Sequence, residues 1–293
     1  KIEFDGVAKD GVVIAHAVSE HVEQAGVHSG DATLILPPQS LSPYLVHRTK
    51  DIGARVAKAL NITGPFNFQL IADGVDVKII ECNLRASRSF PFVSKTVGAD
   101  FVAASTMAML DLDTTALNLP DLQSPLRPTS YVAVKTPMFS FTRLGGADPV
   151  LGVEMASTGE VACFGKDKHE AFLKSLLATN PVNFRIPKKG ILLSIQDDFL
   201  PTMVPAVFKL STLGYKLFST PRTHEFLKRC GVETQLVPYS KSVEDPLLSS
   251  IRTREIDLIV NLPNKNSKHQ EENFLIRRTG VDYGVPLLTN PKL

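Results

Sequence analysis

From residue 188 onward, short apolar runs alternate with amphipathic ones, and glycine stops most of the amphipathic stretches. An apolar strand over 191–195 precedes a helical pattern over 203–213 that halts at Gly214. Residues 215–219 read as a strand, 223–230 as a helix halted by Gly231, and 232–237 as a strand. A helix over 246–254, a strand over 256–260, a helix over 271–283 ending at Gly284 and a strand over 285–288 complete the series. Few architectures absorb this rhythm. Strands separated by helix-length crossovers pair in parallel, and the helices cover both faces of a doubly wound sheet. Glycine after a helix suits the left-handed position that closes its last turn.

The preceding residues obey a different pattern. A strand-like run begins at Lys1, a turn is expected over 6–11, and extended runs over 12–18 and 32–36 flank a Gly-rich loop at 26–31. Apolar spacing predicts helices over 42–60 and 96–110. Strands over 66–72 and 77–81 flank a turn at Asp73-Gly74. Residues 111–187 include a Pro, Asp, Thr and Ser-rich stretch at 111–130 and are expected to connect two domains, 1–110 and 188–293; within them 131–135 reads as a strand, 139–144 as a loop or short strand, 151–164 as an extended run and 169–177 as a helix. The length of 293 residues suits two domains of about 150. The balance of 32 Lys+Arg against 30 Asp+Glu gives a net charge of +2, so no field draws the chain to nucleic acid or anionic lipid. No apolar run reaches the ~18 residues of a membrane span. Three cysteines exclude a disulfide scaffold and fit a reducing compartment. A strand starting at residue 1, with no initiator Met or leader, suggests a piece of a longer chain.

The chemistry centres on residues 77–88. Alternation along a strand puts Glu81 and Asn83 on one face and Cys82 on the other. Gln69 lies on the preceding strand. One carboxylate with two amide oxygens suits Mg²⁺ or Mn²⁺ better than zinc. Arg85 and Arg88, three apart, would face one way on a helical turn and clamp a phosphate or carboxylate. From spacing alone the plainer reading is an edge strand with a solvated Glu followed by surface arginines. Parity is a further test. A two-residue turn at Asp73-Gly74 turns Gln69 away from Glu81, whereas three or five residues unite the set.

Two runs resemble the large (synthetase) component of carbamoyl-phosphate synthetases. They are Glu81-Cys82-Asn83-Leu84-Arg85-Ala86-Ser87-Arg88 with its continuation to Lys95, and residues 19–32, which hold Gly26, Val27, His28 and Ser29. The resemblance implies an α/β chain: part of the second ATP-grasp unit (α+β), a bridge, then a methylglyoxal-synthase-like regulatory domain. By the same resemblance Gln69, Glu81 and Asn83 bind the divalent metal that bridges the ATP phosphates. Gly26, Val27, His28 and Ser29 would touch adenosine, and Arg85 and Arg88 would lie near carbamate and phosphate. The implied reaction is ATP-dependent phosphorylation of carbamate made from bicarbonate and ammonia. The glycine-rich loop and the first ATP-grasp half would precede residue 1, so these residues alone are expected to be inert. Lys1 departs from the family, which usually has an acidic residue there.

In a doubly wound sheet, ligands sit beyond the carboxyl ends of the strands. Thr220, Asn261 and Thr289-Asn290 fall there, and Thr223 opens a helix whose amides attract anions. Equally, Thr223 is an ordinary N-cap and Asn261 a turn residue. Resemblance to the ammonia-type, urea-cycle branch implies a site for N-acetyl-L-glutamate at Thr220, Thr223, Asn261, Asn264 and Asn273, and a mitochondrial matrix location. Tyr239 stands where that branch usually has tryptophan. Cys163 matches one of two cysteines associated with ammonia dependence, and Val153 replaces the other; Cys82 and Cys230 read as structural. The competing readings are a nucleotide-regulated, pyrimidine-pathway synthetase in the cytoplasm and a stand-alone ligand sensor.

Overall fold

The computed structural model describes residues 1–23, 25–126, 130–179, 186–239, 242, 245–263 and 268–293. Asn264, expected at the acid-binding site, lies outside the described residues. Two compact units emerge. One comprises Lys1–Met138 with Gly152–Thr179, the other Phe139–Leu151 with Asn180–Leu293.

The first unit is built on β1 (Ile2–Lys9), β2 (Val12–His21), β3 (Leu34–Leu36), β4 (Gly64–Asp73), β5 (Asp76–Asn83), β6 (Val132–Phe139) and β7 (Ser157–Gly165). They form one seven-stranded sheet in the order β5-β4-β1-β2-β3-β6-β7. Four helices belong to this unit: α1 (Pro43–Ala59), α2 (Phe90–Val97), α3 (Phe101–Met109) and α4 (Lys168–Thr179). The strand, extended run and helix expected within residues 111–187 are present as β6, β7 and α4, and both strands lie in the first unit's sheet. Strand β6 pairs with β3, Leu34 facing Lys135.

Alternation along β1 separates two layers. Ile2 and Phe4 join Phe66 and Phe68 in an apolar cluster that includes Ala57 of α1. Val7 enters the cluster built on Phe90, Phe92 and Phe101 of α2 and α3. The expected turn over 6–11 shrinks to Asp10-Gly11, because Gly6 is a strand residue. A Cβ there would lie 2.6 Å from the Phe4 ring and 2.7 Å from the Phe66 ring. The helix expected over 96–110 is two helices. Gly98 takes φ 69° at the C-terminus of α2, and Asp100 restarts the chain by accepting a hydrogen bond from the Ala103 amide.

The second unit holds β8 (Gly190–Ile195), β9 (Lys216–Ser219), β10 (Gln235–Leu236), β11 (Ile256–Leu262) and β12 (Leu287–Leu288). The order is β10-β9-β8-β11-β12, with every pairing parallel. The connecting helices are α5 (Leu200–Thr212), α6 (Pro221–Arg229), α7 (Pro246–Arg252) and α8 (Gln270–Asp282). Ile191, Leu193 and Ile195 of β8 pack with Leu200, Val207 and Leu227 of α5 and α6. Leu192 packs instead with Leu248, Ile251 and Ile276 of α7 and α8. This is the doubly wound sheet that the sequence predicted. Its strand order reverses between β8 and β11, where a ligand crevice is expected.

Candidate functional site

The site of the first unit depends on a register correction. The hairpin of β4 and β5 closes on two residues, Gly74 and Val75, since Asp73 pairs with Asp76. A regular ladder from that turn would put Gln69 and Glu81 on opposite faces. The register instead shifts between Gln69 and Leu70: Leu70 pairs with Ile79 and Gln69 with Glu81. Ile80 is the extra residue of a β-bulge, and it restores the parity that the short turn removes. Gln69 Nε2 donates to Glu81 Oε1 at 2.8 Å, and Asn83 Nδ2 donates to the same oxygen at 3.2 Å. The three side chains the sequence nominated therefore meet.

They border a cavity of about 350 Å³ that Arg85, Arg88, His28 and Ser29 also line. The arginines lie on an irregular turn before α2, not on the expected helical turn. The Arg85 guanidinium donates to the Ala86 carbonyl at 3.0 Å, and that of Arg88 to Ser157 Oγ at 3.3 Å. His28 Nδ1 accepts from the Gly30 amide at 3.0 Å, which shapes the loop. Its own amide donates to the Gly152 carbonyl at 2.8 Å. The Asp31 carboxylate accepts from the Ala156 and Ser157 amides at 2.7 and 3.0 Å. Gly26 and Val27 are not among the cavity residues, although the Val27 carbonyl accepts from Lys1 Nζ at 3.3 Å.

Beneath the rim lie residues that the sequence reading missed. Glu3 and Asp5 of β1 are 3% and 0% exposed. Asn67 Nδ2 donates to Glu3 Oε1 at 3.1 Å and to Asp5 Oδ1 at 3.0 Å. His21 Nε2 lies 2.9 Å from Glu3 Oε2, while His21 Nδ1 is buried without a partner. That arrangement fits a neutral ring donating through Nε2–H, and burial does lower the His21 pKa. Burial works against the Glu3 charge, yet the hydrogen bonds from His21 and Ser89 hold its carboxyl well below the usual range. Asp5 is pushed up to about 7, by burial first and by the Glu3 charge second. Its Oδ2 is buried and unpartnered, as suits an oxygen carrying a proton. Lys135 is 1% exposed and also borders the cavity. The missed signal was alternation itself: Glu3, Asp5, Asn67 and Gln69 put four polar groups on one face of neighbouring strands.

One carboxylate with two amide side chains is a hard oxygen set once each amide presents its oxygen. It fits Mg²⁺ with phosphate oxygens completing the shell. Among the described residues no group of three His, Cys, Asp or Glu is arranged for a softer metal. Cys82 and Cys230, expected to be structural, are exposed, and Cys163 is half-buried.

In the second unit, Ser194 of β8 pairs in register with Asn261 of β11 at the switch point. Asn273 Oδ1 accepts from Ser194 Oγ at 2.9 Å and from Asn261 Nδ2 at 2.7 Å. Thr223 Oγ1 accepts from the Ile195 amide at 3.0 Å and donates to the Ile195 carbonyl at 3.1 Å. Thr220 Oγ1 lies 3.3 Å from Thr223 Oγ1. Of the five predicted residues, the four that are described are at most 1% exposed. Neither threonine caps α6 through its side chain: Thr220, the N-cap, makes no such bond. Asn261 Oδ1 also accepts from Arg277 Nη1 at 2.9 Å, and Arg277 pairs with Asp148.

The first unit thus carries an open oxygen cluster on an antiparallel hairpin, and the second a buried polar cluster at the switch point of a parallel sheet. Residues 1–112 match the family model "Carbamoyl-phosphate synthase L chain, ATP binding domain", and residues 202–289 match "MGS-like domain". The human "Carbamoyl-phosphate synthase [ammonia], mitochondrial" is 52% identical over 99% of this chain, and the rat protein of that name is 51% identical. The Neurospora crassa "Multifunctional protein pyr-3" is 49% identical over the full chain. The chain belongs to the carbamoyl-phosphate synthase family and forms a carboxyl-terminal part of the large chain. It spans 20% of the human relative's length and 16% of the Neurospora protein's.

Proposed function

We propose that the first unit is the carboxyl-terminal part of the site where a carbamoyl-phosphate synthase phosphorylates carbamate with ATP, making the parent an ATP-dependent ligase. The observation that carries this reading is the meeting of Gln69, Glu81 and Asn83 through the bulge at Ile80. A carbamate oxygen attacks the γ-phosphorus, the bond to the β–γ bridging oxygen breaks, and ADP leaves as carbamoyl phosphate forms. Glu81, Gln69 and Asn83 would hold Mg²⁺ or Mn²⁺, which when bound neutralises phosphate charge. Arg85 and Arg88 clamp anionic oxygens of carbamate and of the transferring phosphoryl group. His28 and Ser29 line the nucleotide side of the cavity. This reading assigns the remaining nucleotide contacts to the rest of the parent chain.

The second unit is the allosteric domain, and N-acetyl-L-glutamate is the activator this reading assigns to Thr220, Thr223, Asn261, Asn264 and Asn273. Support comes from the clustering of Thr220, Thr223, Asn261 and Asn273 around the switch point and from the ammonia-type relatives. Those relatives' names also favour a mitochondrial matrix location. The fungal multifunctional relatives support a second reading, nucleotide regulation in pyrimidine synthesis. The decisive assay measures carbamoyl phosphate made by the full-length parent from bicarbonate, ammonia and MgATP, with N-acetyl-L-glutamate or uridine triphosphate added. Activation by the first supports the ammonia-type reading. Inhibition by the second alone transfers the protein to the pyrimidine type, and no product with either overturns both.

A further inference from the structure

The turn that carries Arg85 and Arg88 has no regular structure of its own, yet both arginines must hold position for the reaction proposed above. It is pinned from below. Ser87 Oγ donates to Asp5 Oδ1, and Ser89 Oγ donates to Glu3 Oε1 at 2.7 Å. The two hydroxyls lie 3.0 Å from each other. Asn67 Nδ2 bridges the two carboxylates from the neighbouring strand. Ser89 is also the N-cap of α2, and serine there normally turns its hydroxyl back to a helix amide. Here it makes no capping bond. The hydroxyl forgoes its usual local partner for a buried carboxylate eighty-six residues away in sequence.

We infer that Glu3 and Asp5 are positioning residues for the two arginines, acting through Ser87 and Ser89. Neither carboxylate need touch a substrate. Alternation along β1 points both at the turn, and the Ser87 and Ser89 hydroxyls reach down to them. A loop fixed by side-chain bonds to a rigid central strand holds its charged tips more narrowly than its own backbone can. The hydroxyl bonds of Ser87 and Ser89 run to β1 and to each other, and none of them goes to the loop at 26–31.

This inference rests on the proposed reaction, so the experiment separates the two. In the full-length parent, ATP formation from MgADP and carbamoyl phosphate runs the phosphoryl transfer backwards. The variant Ser87→Ala/Ser89→Ala is expected to raise the KM for carbamoyl phosphate about ten- to a hundredfold, from two lost hydrogen bonds. The KM for MgADP should stay within about twofold, and Ser87→Thr/Ser89→Thr, which keeps both hydroxyls, should restore the wild-type value. A parallel rise in both KM values, or no rise in either, overturns the anchor. Hydrogen exchange of the amides of residues 84–89 gives a readout that needs no activity: the Ala variant should lose protection there while β1 and β4 keep theirs. Unchanged exchange also overturns the anchor. A wild-type parent that makes no ATP counts against the proposed reaction alone, and the exchange result still decides the anchor.

Discussion

The two polar clusters differ in how their groups are satisfied. In the first unit, Glu81 stands exposed on the edge strand and receives two amide donors on a single oxygen, while the buried charges lie one layer down. In the second, Thr223, Asn261 and Asn273 are buried and satisfy one another and the Ile195 backbone. The first cluster can accept a cation by turning two amides. The second would have to break existing bonds to admit the proposed dicarboxylate, so such a ligand would gain only the difference between old and new bonds. An open cluster suits a substrate that comes and goes in every cycle. A closed one suits an effector that changes the conformation of what it enters.

The largest expected effect tests the open cluster. In the full-length parent, Glu81→Ala removes the set's only carboxylate and should lower carbamoyl-phosphate formation by at least about a thousandfold. Because Glu81 is exposed, the urea midpoint of the 293-residue chain should barely move, within about 0.5 kcal/mol. A large loss of stability with normal synthesis would invert the comparison.

The next effect lies in the buried layer and is read through pH. The Asp5 pKa is about 7 in the folded chain against an ordinary 3.8. Between those values the folded chain keeps a proton that the unfolded chain has released, so this group costs stability as pH rises through the window. His16 acts oppositely: burial holds it near 4 against an ordinary 6.5, so between those values its contribution to stability grows with pH. Its Nδ1 bonds the Pro120 carbonyl and its Nε2 has no partner, as expected of a neutral ring. Asp5→Asn removes the falling limb. The stability difference, variant minus wild type, should widen from pH 4 to 7 by up to about 1.4 kcal/mol per unit. A difference independent of pH means Asp5 is not protonated in the fold.

In the closed cluster, Thr223→Ala removes both bonds to Ile195 and should lower the stability of the second unit by about 1–3 kcal/mol. Urea unfolding of the chain reads it, and Thr223→Ser should recover most of the loss. If Thr223→Ala leaves stability untouched, the hydroxyl is free for a ligand after all, and the contrast between the clusters narrows.

The sequence carried the second unit well because its information is local: each strand, helix and terminating glycine is readable within a dozen residues. In the first unit the decisive features are non-local. No residue near Ile80 announces a bulge, so parity could be posed as a question but not answered. Strands β6 and β7 were legible as extended runs, but their place in the first unit's sheet was not, because their partners lie far away in sequence. Gly6 looked like a turn because the Phe4 and Phe66 rings that exclude a side chain there are visible only in the fold. Glu3 and Asp5 drew no notice because the residues that close over them, Asn67, Ser87 and Ser89, lie more than sixty positions away in sequence.

The smallest effect concerns Tyr239, where the ammonia-type pattern expects tryptophan. Its ring stacks on His269 with centroids 4.0 Å apart and planes 16° from parallel. The His269 carbonyl accepts from Asn273 Nδ2 at 2.6 Å, and Asn273 in turn holds Ser194 and Asn261. Tyr239 therefore supports the closed cluster from outside, through the residue just before α8. An aromatic stack is worth about 0.5–1.5 kcal/mol beyond burial, so Tyr239→Leu should lower the stability of the second unit by roughly that amount. Tyr239→Trp keeps a flat ring over the imidazole and should match wild type within about 0.5 kcal/mol. Titration of the full-length parent with N-acetyl-L-glutamate adds a separate reading. If tryptophan changes affinity by more than about tenfold while stability stays level, the ring at 239 meets the ligand directly, and the closed cluster is more open on that side than its hydrogen bonds suggest.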